Sequence, residues 1–192
     1  MSMIEIYTSD TDVKKVDTLW HQHELDNAFV ITVAPGSKWF TKMWPAEYYG
    51  RLLKLLEQHT DIKVIVIGSE EDKKLNINIT QNAVDLRGET RLLELAEILK
   101  RSQVLVSNDS APIHIASAYS CHIIAIFGAT TRDLGFFPWS TNSTVIEVDN
   151  LDCRPCGLHG SKKCPKGHFK CMRDIPPERI YKTVIEKIQI YK

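Results

Sequence analysis

Residues 104–130 read VLVSNDSAPIHIASAYSCHIIAIFGAT, and no other stretch restricts the fold as much. Val104, Leu105 and Val106 form an apolar run that breaks into the polar turn Ser107-Asn108-Asp109-Ser110. Pro112 follows, and proline suits a first helical turn because it has no N–H to leave unpaired. His114 lies in that first turn. A second apolar run extends from His122 to Phe127 and ends at Gly128. The pattern is strand, polar turn, helix, strand. In a parallel sheet such turns gather at the carboxyl edge, where ligands bind. Asp109 or Ser110 can cap the helix, and the N–H groups at its start suit a phosphate.

The rest of the chain repeats this alternation. Val13, Val16, Leu19 and Trp20 predict a helix over 11–25, after caps between Thr8 and Thr11. Phe29–Ala34 reads as a buried strand ended by Pro35-Gly36. Pro45 opens a helix whose apolar face carries Tyr48, Tyr49, Leu52, Leu53, Leu55 and Leu56. Lys63–Ile67 is a strand running into Gly68-Ser69-Glu70. Residues 71–83 are polar and helical at first, and Val84–Leu86 is a short strand. Thr90–Arg101 is amphipathic, with Leu92, Leu93, Leu95, Ala96 and Leu99 on one face. Thr144–Val148 is the last strand. Pro177 starts a final helix to the chain end, with Ile180, Val184, Ile185 and Ile188 facing in.

Buried strands alternating with helices predict an α/β fold: a Rossmann-like parallel sheet with helices on both faces. Right-handed crossovers then put the loops Pro35–Trp44, Gly68–Glu70, Arg87–Thr90, Ser107–Ala111 and Gly128–Gly135 on one edge. These loops offer Ser37, Lys42, Glu70, Asp109, Ser110 and His114. A diphosphate needs cations and N–H donors, which Lys42 and the Pro112 helix start can supply. A carboxylate just past a strand end, as Glu70 is, can take both hydroxyls of a ribose. Capping and solvation alone would also account for each of these residues singly. A lone histidine on an apolar helix is more often a core residue than a catalytic one, but His114 stands close to Asp109.

The chain has 192 residues, 24 Lys and Arg against 24 Asp and Glu, and a formal net charge of zero. That length supports a full core in one domain, or two small ones. The charge balance argues against a nucleic-acid partner. The start, MSMIEIYTSD, lacks the regions of a secretory signal, and no apolar run reaches membrane-spanning length; an intracellular chain is expected. No P-loop, dinucleotide-binding G-x-G-x-x-G or G-x-S-x-G motif occurs. This leaves an ordinary nucleotide hydrolase, a dehydrogenase or a serine hydrolase poorly supported.

Cys121 sits in an apolar run and reads as core. Cys153, Cys156, Cys164 and Cys171 cluster in CRPCGLHGSKKCPKGHFKC with His159 and His168. A tetrahedral zinc site could use four of these, although the spacing is irregular for a zinc ribbon. Free thiols are the alternative in a reducing compartment. Arg154, Lys162, Lys163, Lys166 and Lys170 give a basic surface of about +5 with only Asp152 nearby, fit for an anionic substrate, a membrane or plain solvation.

Four stretches resemble the C-terminal half of glycosyltransferase family 9, the heptosyltransferases of the lipopolysaccharide core that use ADP-heptose. They are APGSKWFTKMWPAEYYGRL, VIVIGSEED, SNDSAPIHIASAYSCHIIAIFGATT and the tail CRPC…CPKGHFKCM…IPPERIY. Together they cover roughly residues 28–185. The resemblance implies a GT-B enzyme, two Rossmann-like domains of which the C-terminal one binds the donor. It implies Ser37 and Lys42 at the diphosphate, Glu70 at the ribose and the backbone near Gly88 at the adenine. Asp109 would face the sugar, and Ser110 and Ala111 would hold phosphate; many members have glycine at the position of Ala111. His114 matches a family histidine without an assigned role.

On this reading residues 1–192 form one donor-binding domain, with a cysteine-rich loop at 151–175 and a C-terminal helix. The acceptor domain, which carries the expected general base, is absent, so the chain alone is expected to have little or no transfer activity. No cofactor is required, and zinc at Cys153, Cys156, Cys164 and Cys171 is optional. The complete enzyme would take a lipid-linked acceptor at the inner face of the cytoplasmic membrane. Two alternatives remain open: a nucleotide- or zinc-binding module acting through a protein partner, and a family member using another nucleotide sugar.

Overall fold

The computed structural model describes residues 4–189. Six parallel strands form its sheet: β1 (Phe29–Ala34), β2 (Ile62–Val66), β3 (Ala83–Asp85), β4 (Val104–Asn108), β5 (His122–Ile126) and β6 (Ser143–Ile146). Their spatial order is β3-β2-β1-β4-β5-β6, the order of doubly wound nucleotide-binding sheets. The helices are α1 (Asp10–Gln22), α2 (Ala46–Leu56), α3 (Leu92–Arg101), α4 (Ala111–Ala116), α5 (Lys170–Arg173) and α6 (Pro177–Ile188).

Strand alternation divides the core in two. Ile31, Val33, Val64, Val66, Val104, Val106, Ile124 and Ile126 point to one face, where they meet Leu52, Leu53 and Leu56 of α2 and Ile180, Val184 and Ile188 of α6. Val30, Ile65, Leu105, Ile123 and Ala125 point to the other, against Val16, Leu19 and Trp20 of α1, Ile98 and Leu99 of α3 and Ile113 of α4. The register keeps these rows aligned, with Val33 opposite both Val66 and Val106. Burying both faces explains why the strands read as unbroken apolar runs.

Local differences from the sequence reading have local causes. Ser9 caps α1 in a reciprocal box with Asp12, which starts the helix at Asp10. The polar stretch after β2 forms only a 3-10 turn, Glu70–Lys74, before extended chain. Leu92 and Leu93 are exposed, at 63 and 39 %. Their places on the inner side of α3 go to Glu94 and Glu97, whose carboxylates pair with Arg91 (2.8 Å) and Arg101 (2.9 Å). A buried carboxylate is tolerable only with such partners, and a periodicity count that sorts residues by polarity misses them. The predicted continuation of α6 to the chain end runs into residues 190–192, outside the described residues. Among the described residues no helix is long and apolar enough to cross a membrane.

Candidate functional site

The strand order reverses between β1 and β4: the chain leaves β1 towards β2 on one side and leaves β4 towards β5 on the other. Loops on the carboxyl ends of two such strands diverge and leave a crevice. Ser37 and Lys42 follow β1, and Asp109, Ser110, Ala111 and His114 follow β4. All six line one cavity of about 690 Å³.

At its base Lys42 Nζ lies 2.6 Å from Asp109 Oδ2, with the two side chains 8 and 4 % exposed. Thr130 Oγ1 donates to the same carboxylate oxygen at 2.6 Å. The Lys42 ammonium also stands 4.7 Å from the centroid of the Phe136 ring. A buried ammonium is tolerable only with such partners. Ser37 Oγ donates to the Asp109 carbonyl at 3.4 Å, a long bond.

One amide side chain fixes the surrounding backbone. Asn108 Nδ2 donates to the Pro35 carbonyl at 2.6 Å. Asn108 Oδ1 accepts from the Trp44 N–H and the Tyr49 hydroxyl, both at 2.9 Å. Trp44 Nε1 donates onward to the Ile175 carbonyl at 2.9 Å. The ends of β1 and β4, the Lys42 loop and α2 therefore meet at one residue. Burial raises the Tyr49 hydroxyl pKa above its usual value, so it is a neutral donor.

Neither Asp109 nor Ser110 caps α4 with its side chain. Ser110 holds the N-cap position without a side-chain bond to the helix. Its hydroxyl lies 3.2 Å from that of Ser107, and Asp109 is committed to Lys42. Pro112 has no N–H and Ile113 N donates to the Ser110 carbonyl at 3.3 Å, which leaves the Ala111 N–H for another acceptor. Burial lowers the His114 pKa below its ordinary 6.5; Asp109 opposes this shift and Lys42 adds to it. The imidazole is neutral at pH 7.

Glu70 and Gly88 stand together but outside this lining. Gly88 has φ +76°, and a Cβ there would come 2.1 Å from Glu70 Oε2. The Glu70 carboxylate lies 2.9 Å from Lys73 Nζ, one 3-10 turn on. Glu71 and Asp72 line the cavity instead. Asp72 Oδ2 accepts from the backbone and hydroxyl of Ser69, at 2.7 and 2.8 Å. Its carboxylate fills the space where Gly36 and Gly68 would carry side chains; a Cβ at Gly36 would lie 2.3 Å from Asp72 Oδ1. Both glycines are needed for this close approach.

The cysteine-rich segment forms part of the wall. His159 lines the cavity, its ring centroid 5.6 Å from that of Phe136. Thr41 N and Oγ1 both donate to the Ser161 carbonyl at 3.1 Å, and Ser161 N donates back to Thr41 Oγ1 at 2.7 Å. Cys156 N donates to the Ala129 carbonyl at 2.8 Å. Cys153, Cys156, Cys164 and Cys171 carry free thiols. Cys153 Sγ lies 3.9 Å from His168 Nε2. Burial, and then the neighbouring thiols, push Cys171 up to about 11. Among the described residues no three His, Cys, Asp or Glu side chains are gathered closely enough to hold one metal ion. Cys121 is core, pushed up to about 12 by burial.

Sequence reasoning missed Thr130, Asp72, His159 and the bridging role of Asn108. Asn108 ends β4 and Thr130 follows β5 at the same edge as Asp109, which was a usable signal. His159 had none, because its place depends on contacts about 120 residues apart.

A doubly wound parallel sheet with a buried Lys–Asp pair at its switch point belongs to the Rossmann-like class of α/β architectures. The chain belongs to glycosyltransferase family 9 (heptosyltransferase), whose model matches residues 6–166. Lipooligosaccharide heptosyltransferase 2 of Campylobacter jejuni is 30 % identical over 159 residues, covering 79 % of this chain and 48 % of its own length. Among solved structures, a family 9 glycosyl transferase from Veillonella parvula superposes with a TM-score of 0.80 at 19 % identity, over 97 % of this chain and 54 % of that one. E. coli ADP-heptose lps heptosyltransferase II gives 0.73 at 21 % identity, over 98 and 54 %. The chain spans about half the length of the relatives it matches.

Proposed function

We propose that this chain is the donor-binding side of an ADP-heptose-using heptosyltransferase of lipopolysaccharide core assembly. The buried Lys42–Asp109 pair, set at the switch point beside the uncapped start of α4, is the observation that carries the reading. Lys42 and the Ala111 N–H at the start of α4 would receive the diphosphate, with Ser37 beside them. Asp109 would hold Lys42 in place and face the sugar. Glu70 reaches a ribose only by leaving Lys73, a change of rotamer on an exposed turn. The backbone around Gly88 lies on the same side and suits the base.

In the full reaction an acceptor hydroxyl oxygen forms a bond to the anomeric carbon. The bond from that carbon to the diphosphate breaks, and ADP leaves with the electron pair. Lys42 and the Ala111 N–H stabilise the developing negative charge. The hydroxyl proton goes to a base on the acceptor side, outside this cavity. His114 is neutral and half-buried, which suits it to positioning.

The acceptor is lipid-linked on this reading, and the complete enzyme works at the inner face of the cytoplasmic membrane. Nucleotide binding requires no metal. The four thiols of the tail are a donor set that zinc accepts, but among the described residues their positions gather no site.

Calorimetric titration with ADP and ADP-heptose tests the reading. Saturable binding, insensitive to chelator and lost in Lys42→Ala, is expected. A folded chain that binds neither ligand overturns it. Turnover by the chain alone on added acceptor overturns the assignment of transfer to two bodies.

A further inference from the structure

Behind the Thr41–Ser161 wall lies a second cavity, of about 550 Å³. Its rim carries Lys162, Lys163 and Arg173, and its lining includes His168 and the stacked rings of Phe40 and Phe169. The two ring centroids are 4.9 Å apart, and Phe169 is buried while Phe40 stays 46 % exposed. One aromatic surface therefore faces the cavity and is braced from behind.

The charge around it is uncompensated. Between Cys153 and Arg173 there are six cations and no Asp or Glu. Arg154 is paired with Glu147 at 2.7 Å. The other five, Lys162, Lys163, Lys166, Lys170 and Arg173, are exposed, and among the described residues none has a carboxylate within 4.0 Å. Elsewhere cations such as Arg87, Arg91 and Arg101 are paired, and the chain as a whole is neutral. Lys162, Lys163 and Arg173 are brought to one cavity by the turn through Gly167 and Phe169, both at positive φ. Like charges within a screening length of about 8 Å repel, and an anion placed among them relieves that repulsion. Lysine and arginine together also supply the donors a phosphate dianion takes.

We propose that this cavity binds a phosphorylated saccharide, the phosphate among Lys162, Lys163 and Arg173 and the C–H face of the sugar against Phe40. An anionic patch ligand without a body would have no use for the ring, and a flat membrane surface would have no use for the concavity. The inference rests on this pocket alone and not on nucleotide binding in the cleft.

The test is an NMR titration of the full chain, followed at the backbone amides of residues 162–173. Glucose 6-phosphate, glucose, inorganic phosphate and phosphatidylglycerol vesicles are the probes. Glucose 6-phosphate is expected to saturate, more tightly than inorganic phosphate, and glucose to give no saturation. Lys162→Glu with Lys163→Glu, and separately Arg173→Ala, are expected to weaken glucose 6-phosphate about tenfold or more. ADP binding should be unchanged, since none of these side chains lines the cleft. Three results overturn the proposal: no saturation by glucose 6-phosphate, equal affinity for inorganic phosphate, or both folded variants binding like the parent. Vesicle binding that glucose 6-phosphate cannot displace also overturns it, in favour of a lipid surface.

Discussion

Replacing Lys42 by methionine separates what the Lys42–Asp109 pair does for the fold from what it does for a ligand. Methionine keeps most of the stem volume and removes only the ammonium. Asp109, 4 % exposed, is then left with Thr130 as its one side-chain hydrogen-bond donor. Breaking a buried pair in this way costs about 3–5 kcal/mol. For a chain of this size each kcal/mol shifts Tm by about 2–4 °C, so a fall of about 6–20 °C is expected. Adding Asp109→Asn removes the stranded charge and should restore much of that loss, because the two effects are not additive.

Binding should behave differently. Losing a hydrogen bond to a charged phosphate costs about 1.5–3 kcal/mol, or roughly 10- to 150-fold in the ADP dissociation constant. Asparagine at 109 cannot replace that contact, so the double variant should be stable and still bind weakly. Thermal melting and ADP titration of the parent, both singles and the double measure this cycle. If the double variant recovered affinity along with stability, Lys42 would be a structural cation only and the phosphate role would be wrong.

Further outcomes follow from the same contacts. Asn108→Leu leaves the Trp44 N–H and the Tyr49 hydroxyl without their acceptor, at about 1–3 kcal/mol each; a Tm within a degree or two of the parent would refute the bridging role. Gly36→Ala drives Asp72 from its place against the loop and should cost about 1–3 kcal/mol by overpacking, read as a lower Tm. Burial holds the His114 pKa down in the folded state. The unfolded chain therefore takes up its proton first as pH falls below about 6.5, and stability present above that pH declines towards the folded pKa. The drop in Tm between pH 7.5 and 5.5 should be smaller in His114→Asn, and an unchanged drop would contradict the shift. Alkylation of the native chain at about pH 8 should spare Cys121, held up to about 12, while half-exposed Cys153 reacts; mass spectrometry of the peptides decides.

The strands were legible because both sheet faces are buried, which writes each one as an apolar run such as VITVA or IIAI. The turn after β4 was legible because Asp109, Ser110 and Pro112 sit where a run of that kind ends. The N-cap falls on Ser110, one of the two residues expected, but no side chain bonds the helix start, and a buried lysine 67 positions earlier in sequence takes the aspartate. Glu70, expected at the cavity, stands beside Gly88 outside its lining, paired with Lys73 one turn away. The inner face of α3 escaped notice where paired glutamates stand in for leucines. Such facts depend on partners brought in by the fold, and no local window contains them.

The bonds between Thr41 and Ser161 join a turn from the first third of the chain to one from the last fifth. A segment anchored there, and again by Cys156 to Ala129, has no hinge on which to swing. The tail therefore behaves as masonry in the cleft, and cutting the chain after β6 would remove one side of the opening together with α6, which covers one face of the sheet. The loop thereby sets His159 as a fixed boundary of the cleft, while its outer face, with Lys162 and Lys163, can change without moving that boundary.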